Sequence, residues 1–77
     1  MKSGEELRRK RIAAGLAAYL VAKKAGIRPS RLTYIERGLA DPKPEEAVRI
    51  EQAIQELVQA REVLSRVARH VGWPTWV

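Results

Sequence analysis

Residues 21–38 read VAKKAGIRPSRLTYIERG, and the position of glycine and proline in this stretch decides the fold. Gly26 and Gly38 each follow a segment with apolar residues at helical spacing, and glycine often ends a helix because it adopts positive φ without strain. Pro29 suits the first position of a helix, where an N–H would have no partner in any case. The stretch therefore predicts a helix over 17–25, a turn, and a helix over 29–36.

Further helices are predicted on both sides of this stretch. Ser3 and Glu6 form an S-x-x-E capping box, which indicates a first helix over 4–14. After Pro44 there is neither glycine nor proline until Gly72, so one helix is predicted over 44–71, about 42 Å long at 1.5 Å per residue. No period-two alternation indicates a strand. The predicted fold is all-α, with three short helices followed by a long C-terminal helix.

Charge is distributed unevenly along the chain, which carries a net charge of +6. Residues 1–43 hold eleven Lys and Arg against four Asp and Glu, a net +7, whereas residues 44–77 hold four against five, a net −1. A basic half joined to a near-neutral half indicates one face for a polyanion and another for a different task. Basic surfaces also suit acidic proteins and membranes, so charge alone leaves these targets open.

Composition argues against several classes of site and location. There is no cysteine, and the single histidine, His70, is isolated, so neither a metal site nor a cofactor is predicted. Glu45 and Glu46 fall in the first turn of the last helix, where the helix dipole favours them, and need no catalytic explanation. No phosphate-binding glycine loop or Ser/His/Asp set is present, so we predict no enzymatic activity. The longest apolar stretch is too short for a membrane span of roughly 20 residues, and we expect a cytoplasmic protein.

Three stretches carry a resemblance to a known family: KRIAAGL at 10–16, VAKKAGI at 21–27 and LTYIERG at 32–38. Through them, residues 6–38 resemble the Cro/phage-repressor (XRE-like) helix-turn-helix family, with its spacings kept without a gap. The resemblance implies a DNA-binding domain, here 1–57, whose third helix lies in the major groove of double-stranded DNA. It also implies a sequence-specific, repressor-like transcriptional regulator.

The resemblance assigns residues by position to a DNA-binding surface. Base contacts are implied for the start and middle of the third helix, at Pro29, Ser30 and Tyr34, with Arg31 and Thr33 alongside. We favour Arg31 for specificity because arginine binds guanine O6 and N7 in a bidentate way, although it could equally contact a phosphate or be a solvated charge. Tyr34 either contacts a thymine methyl or a sugar, or partly covers the preceding helix.

Two further sets of residues follow from the resemblance. Cations flanking the third helix are expected to contact phosphates, although each could be a solvated charge; these are Lys23, Lys24, Arg28, Arg37 and Lys43. Arg11 and Glu36 occupy positions that pair beneath the DNA-binding surface, so we interpret them as a structural pair.

Two departures from the family pattern leave an alternative open. The family usually has a polar cap and then a phosphate-binding glutamine at the start of the second helix, where this chain has Ala17 and Ala18. The family also usually has two short helices in place of the long last helix. The alternative is a helix-turn-helix fold used as a protein-interaction module, for example for RNA polymerase or a toxin-like partner. Ala18 and Pro29 favour this alternative, and the basic charge of 1–43 favours DNA.

The last helix carries an apolar seam that predicts self-association. Ile50, Leu57, Leu64 and Val71 repeat every seven residues, and the companion row is Ala47, Ile54, Arg61 and Ala68. We expect 58–77 to be a dimerisation extension, with an interface formed by Leu57, Val63, Leu64, Val67 and Val71. The alternative is a bend near the charged Arg61, after which the helix folds back so that Trp73 and Trp76 cover the core of the same chain.

Overall fold

The structure, a computed structural model, describes residues 3–71, with side chains as far as Ala68. Within that range it has four helices and no strand: α1 (Gly4–Ala13), α2 (Ala18–Ala25), α3 (Pro29–Glu36) and α4 (Pro44–Val71). The predicted all-α fold is confirmed, including one long helix where the resemblance implies two short ones. Predicted and observed bounds differ only at Ala14 and Ala17, which are caps rather than helical residues.

The ends of the short helices are set by residues that cap them. The Ser3 side chain accepts a hydrogen bond from the Glu6 N–H at 3.2 Å, as half of the predicted capping box. Gly26 ends α2 in the left-handed region at φ 74°, and its N–H donates to carbonyl oxygens of the last turn. Glycines in the same region follow α1 and α3. These turns fold the first three helices back on one another within a short length of chain.

The core lies between the first half of α4 and the three short helices. α1 and α2 pack directly on α4, and α3 packs on α1 and α2. The largest side chains that are fully buried come from all four helices: Leu7, Val21, Leu32, Ile35 and Ile50. From α4 the core also takes Ala47, Ala53 and Ile54, and beyond these Leu57 and Val58 are only partly buried.

α4 continues past this core as an uninterrupted helix to Val71, so it does not fold back near Arg61. The Arg61 guanidinium instead donates to the carbonyl oxygen of Ala14 at 2.7 Å and so caps the C-terminal end of α1. The molecule is elongated, with extents of 45 × 19 × 18 Å and a radius of gyration of 14.1 Å, against about 11.5 Å for a compact chain of this length. Trp73 and Trp76 lie outside the described residues.

Gly4 allows α1 and α3 to approach each other closely, which gives a first prediction. A Cβ at this position would overlap the backbone carbonyl of Ile35. We expect Gly4→Ala to lower the free energy of unfolding by about 1–3 kcal/mol, although alanine has the better helix propensity by about 1 kcal/mol. Urea denaturation followed by circular dichroism measures the change.

The exposed neighbour Glu5 provides the control, since Glu5→Ala adds no contact and should change stability by less than about 0.5 kcal/mol. A Gly4→Ala variant as stable as the wild type would contradict the close approach of the two helices.

Candidate nucleic-acid interface

The outward face of α3 presents a short row of exposed side chains. Pro29 and Ser30 are exposed at the start of the helix, and Tyr34, one turn later, is 55% exposed. Leu32 and Ile35 on the opposite face are fully buried. Because residues i and i+4 share a helix face, Ser30 and Tyr34 form a continuous exposed row. Tyr34 is about half exposed, so both interpretations of its ring stay open.

Two of the residues predicted to contact bases already have partners within the chain. The Thr33 hydroxyl donates to the carbonyl oxygen of Pro29 at 3.0 Å. The Arg31 guanidinium donates through Nε and Nη2 to the two carboxylate oxygens of Glu46, at 3.0 and 2.8 Å, and through Nη2 to the carbonyl oxygen of Asp41 at 3.2 Å. The base contact of Arg31 stays a prediction.

Glu46 accepts hydrogen bonds from two different segments of the chain. Besides Arg31, the backbone N–H of Lys43 donates to its Oε1 at 2.9 Å. The hydrogen bond from Arg31, together with that from Lys43, lowers the pKa of the Glu46 carboxyl to about 2. Sequence reasoning explained this residue by the helix dipole alone. The structure shows that it also links α4 to α3 and to the loop between them.

Arg11 and Glu36, predicted as a structural pair, lie together beneath the surface. Arg11 Nε and Nη2 donate to the two carboxylate oxygens of Glu36 at 2.8 and 2.9 Å, and Nη1 donates to the carbonyl oxygen of Leu16 at 2.8 Å. Their side chains are only 14% and 7% exposed. The hydrogen bond to Glu36 raises the pKa of Arg11 above its ordinary value. The pair therefore joins α1, the following turn and the end of α3.

The cations predicted to contact phosphates have different surroundings, although all five are exposed. The Nζ of Lys24 lies 3.4 Å from Oε2 of Glu56 in α4, and both side chains are exposed. The ammonium of Lys23 lies 5.6 Å from the centre of the Tyr19 ring. Arg28 and Arg37 flank α3 at its two ends. Exposed pairs such as Lys24–Glu56 are weak, so a polyanion can compete for the lysine.

A polar concavity of about 650 Å³ lies between α1, the start of α2 and the end of α3. Its polar lining has three cations, Arg8, Arg37 and the paired Arg11, together with Thr33 and the carboxylates of Glu5 and Glu36. Sequence reasoning missed Arg8. The available signal was its spacing, because Glu5, Arg8 and Arg11 follow one another at i, i+3 on one face of α1.

This arrangement of helices is that of a known family. The model of the helix-turn-helix family matches residues 7–57, which are 51 of the 77 residues of the chain. The chain belongs to this family. The match confirms the resemblance to Cro and the phage repressors, and with it the class of DNA-binding transcription regulators. No curated protein and no solved structure matches the chain.

In a helix-turn-helix protein the second helix of the motif is the one that enters the major groove. In this chain α3 occupies the place of that helix, and it carries the exposed row of Ser30 and Tyr34. Among residues 3–68, whose side chains the structure describes, no group of three Asp or Glu side chains is placed to hold a metal ion. Nor is any helix in that part of the chain both long and apolar enough to cross a membrane.

The low exposure of the Arg11–Glu36 pair gives a second prediction. Arg11→Met leaves the Glu36 carboxylate in place without its charged partner, and we expect a loss of about 3–5 kcal/mol in the free energy of unfolding. Urea denaturation at neutral pH measures it.

Lys10 is the matched control, because it is adjacent in sequence and forms an ion pair with Glu51 at 2.7 Å whose side chains are 47% and 25% exposed. Lys10→Met makes the same change of charge but should cost less than about 1 kcal/mol. Equal losses for the two variants would show that burial does not distinguish the pairs.

Proposed function

We propose that this helix-turn-helix protein is a sequence-specific, repressor-like regulator that binds double-stranded DNA as a homodimer. The observation that carries the proposal is the exposed row of Ser30 and Tyr34 on α3, fixed from behind by the Arg11–Glu36 pair. A dimer bound across a promoter excludes the polymerase, which is sufficient for repression. The resemblance to phage repressors supports this role and a cytoplasmic location.

The exposed row suits direct reading of bases. A serine hydroxyl donates or accepts, so Ser30 can bond to several base edges, and the ring of Tyr34 can pack on a thymine methyl group. Pro29 adds an apolar surface at the start of the helix. Arg31 and Thr33 lie beside this row, and we propose contacts from them only where their internal hydrogen bonds rearrange.

Phosphate contacts are best supported on the two sides of α3. Arg8 and Arg37 line the concavity beside the start of α2, where Ala17 provides no side-chain cap for the first N–H groups. Those N–H groups and the two guanidinium groups together offer a phosphate the donors that the missing glutamine would supply. We include in the phosphate surface the flanking cations Lys23, Lys24, Arg28 and Lys43.

The DNA proposal predicts a steep dependence of affinity on salt. If about six phosphates are neutralised, the slope of log K against log salt concentration on a random duplex should be near −5. Fluorescence anisotropy across a series of salt concentrations measures it.

Arg37→Ala should reduce that slope by about one, because it removes one phosphate contact. Arg66→Ala, which changes an exposed arginine on the distant half of α4, is the control and should leave the slope unchanged. A slope near zero for the wild type would contradict DNA binding and favour the protein-interaction module.

The dimer is supported by apolar side chains on the part of α4 beyond the core. Val63, Leu64 and Val67 are 52%, 68% and 49% exposed, and they follow one another on one side of the helix. Such a stripe favours association, and a second copy supplies an identical stripe across a twofold axis. Leu57 is partly buried against its own core and would lie at the near end of the interface. Two α3 helices would then face half-sites one or more turns of about 10 bp apart.

The exposure of Leu64 makes the dimer testable without unfolding the chain. Leu64→Glu should convert a wild-type dimer into a folded monomer, because the charge falls on the stripe and outside the core. Light scattering at micromolar concentration gives the mass.

Val48→Glu makes the same kind of change at an exposed position of α4 within the domain and should leave the mass unaltered. A wild-type mass of one chain would refute the dimer.

A further inference from the structure

One guanidinium and one carboxylate join three segments at the start of α3. Arg31 lies in the first turn of α3, Glu46 in the first turn of α4, and Asp41 and Lys43 in the loop between them. The side chains of Arg31 and Glu46 are 33% and 13% exposed, so the pair is partly removed from water. Four hydrogen bonds of 2.8–3.2 Å meet in this cluster.

The geometry leaves Arg31 poorly placed to read a base. A bidentate contact with guanine needs two N–H groups on one edge of the guanidinium. Nε and Nη2 bind the two oxygens of Glu46, and Nη2 also binds the carbonyl oxygen of Asp41. Glu46 therefore occupies the Nε/Nη2 edge, and the second N–H of Nη2, which a guanine would need on the Nη1/Nη2 edge, is directed at Asp41. The Glu46 carboxylate stays ionised at neutral pH, since its pKa is about 2.

α3 is oriented by the packing of Leu32 and Ile35 and by a polar link at each end. It has only eight residues, and Arg28 at its N-terminal cap makes no side-chain capping bond. It packs mainly on α1 and α2, and the Arg11–Glu36 pair fixes its C-terminal end. The Arg31–Glu46 pair attaches its N-terminal end to α4, close to Ser30.

We propose that Arg31 is a positioning residue: through Glu46 it fixes the N-terminal end of α3, and Ser30 and Tyr34 read the bases. The proposal rests on the DNA-binding function above and deepens it. It reverses the assignment made from sequence, in which Arg31 was favoured for specificity. It also gives an acidic residue, Glu46, a favourable role in binding a polyanion.

The positioning role predicts that loss of the Glu46 charge weakens binding to the preferred site, whereas charge alone predicts stronger binding. Glu46→Gln removes a negative charge from the protein, which by charge alone strengthens binding to any duplex. If Glu46 positions α3, the same change weakens binding to the preferred site by about tenfold, while binding to random duplex stays constant or rises. Loss of stability alone would lower both affinities together.

The experiment compares dissociation constants on a site selected from a random duplex pool with those on random duplex. The variants are Glu46→Gln, Arg31→Ala and the double variant, at a temperature where circular dichroism shows all of them folded. Glu45→Gln is the matched control, since this exposed neighbour makes the same charge change. Arg31→Lys keeps the charge without the bidentate geometry and should restore part of the affinity. It also replaces Arg31→Ala in the comparison if that variant does not fold.

We expect Glu46→Gln and Arg31→Ala to lose the same amount of affinity for the selected site, and the double variant to lose no more. Arg31→Ala should still select the same DNA sequence. Glu45→Gln should bind at least as well as the wild type. The proposal is overturned if Arg31→Ala relaxes the preference at one base pair while Glu46→Gln binds the site as tightly as the wild type. A wild type that binds no duplex overturns the proposed function itself, and the positioning role with it.

Discussion

The three short helices depend on α4, because none of them is long enough to be stable alone. α1 has ten residues and α2 and α3 have eight each, whereas isolated helices shorter than about 12–15 residues are marginal in water. α1 and α2 bury their apolar sides against the first half of α4, and α3 is held by both of them. α3 therefore has little direct contact with α4, and the Arg31–Glu46 ion pair adds a polar link between the two helices.

The residues of α4 that form polar links to other elements are regularly spaced. Glu46, Glu51, Glu56 and Arg61 are spaced five residues apart, and each bonds or forms an ion pair with another element. Five residues turn a helix by about 140° beyond a full turn, so successive links point in different directions. The first reaches α3, the second α1, the third α2, and the last the end of α1. The exposed pairs add little to stability, and the rotation of α4 about its axis is set by its buried face of Ala47, Ile50, Ala53 and Ile54.

Local sequence was sufficient to place the helices, because their ends are set by residues that act within one turn. Glycine at positive φ, Pro29 at the first position of α3 and the Ser3 cap each depend on near neighbours alone. The exposed row of α3 also follows from periodicity. The partner of Arg31 is 15 residues away and that of Arg61 is 47 residues away. Sequence periodicity does not indicate such pairings, so Arg31 was assigned to a base contact and Arg61 was interpreted as a charged interruption of the apolar seam.

Because α4 is one uninterrupted helix, it sets both the distance and the relative rotation between its two ends. One end carries the domain and the other carries the stripe of Val63, Leu64 and Val67. Because each residue advances a helix by about 100°, inserting one residue between these ends would swing the stripe to another side of the domain. Seven inserted residues would restore its direction to within about 20° and lengthen the helix by about 10 Å. An insertion therefore keeps the direction of the stripe only when its length is close to a whole number of turns, as with seven or about eleven residues.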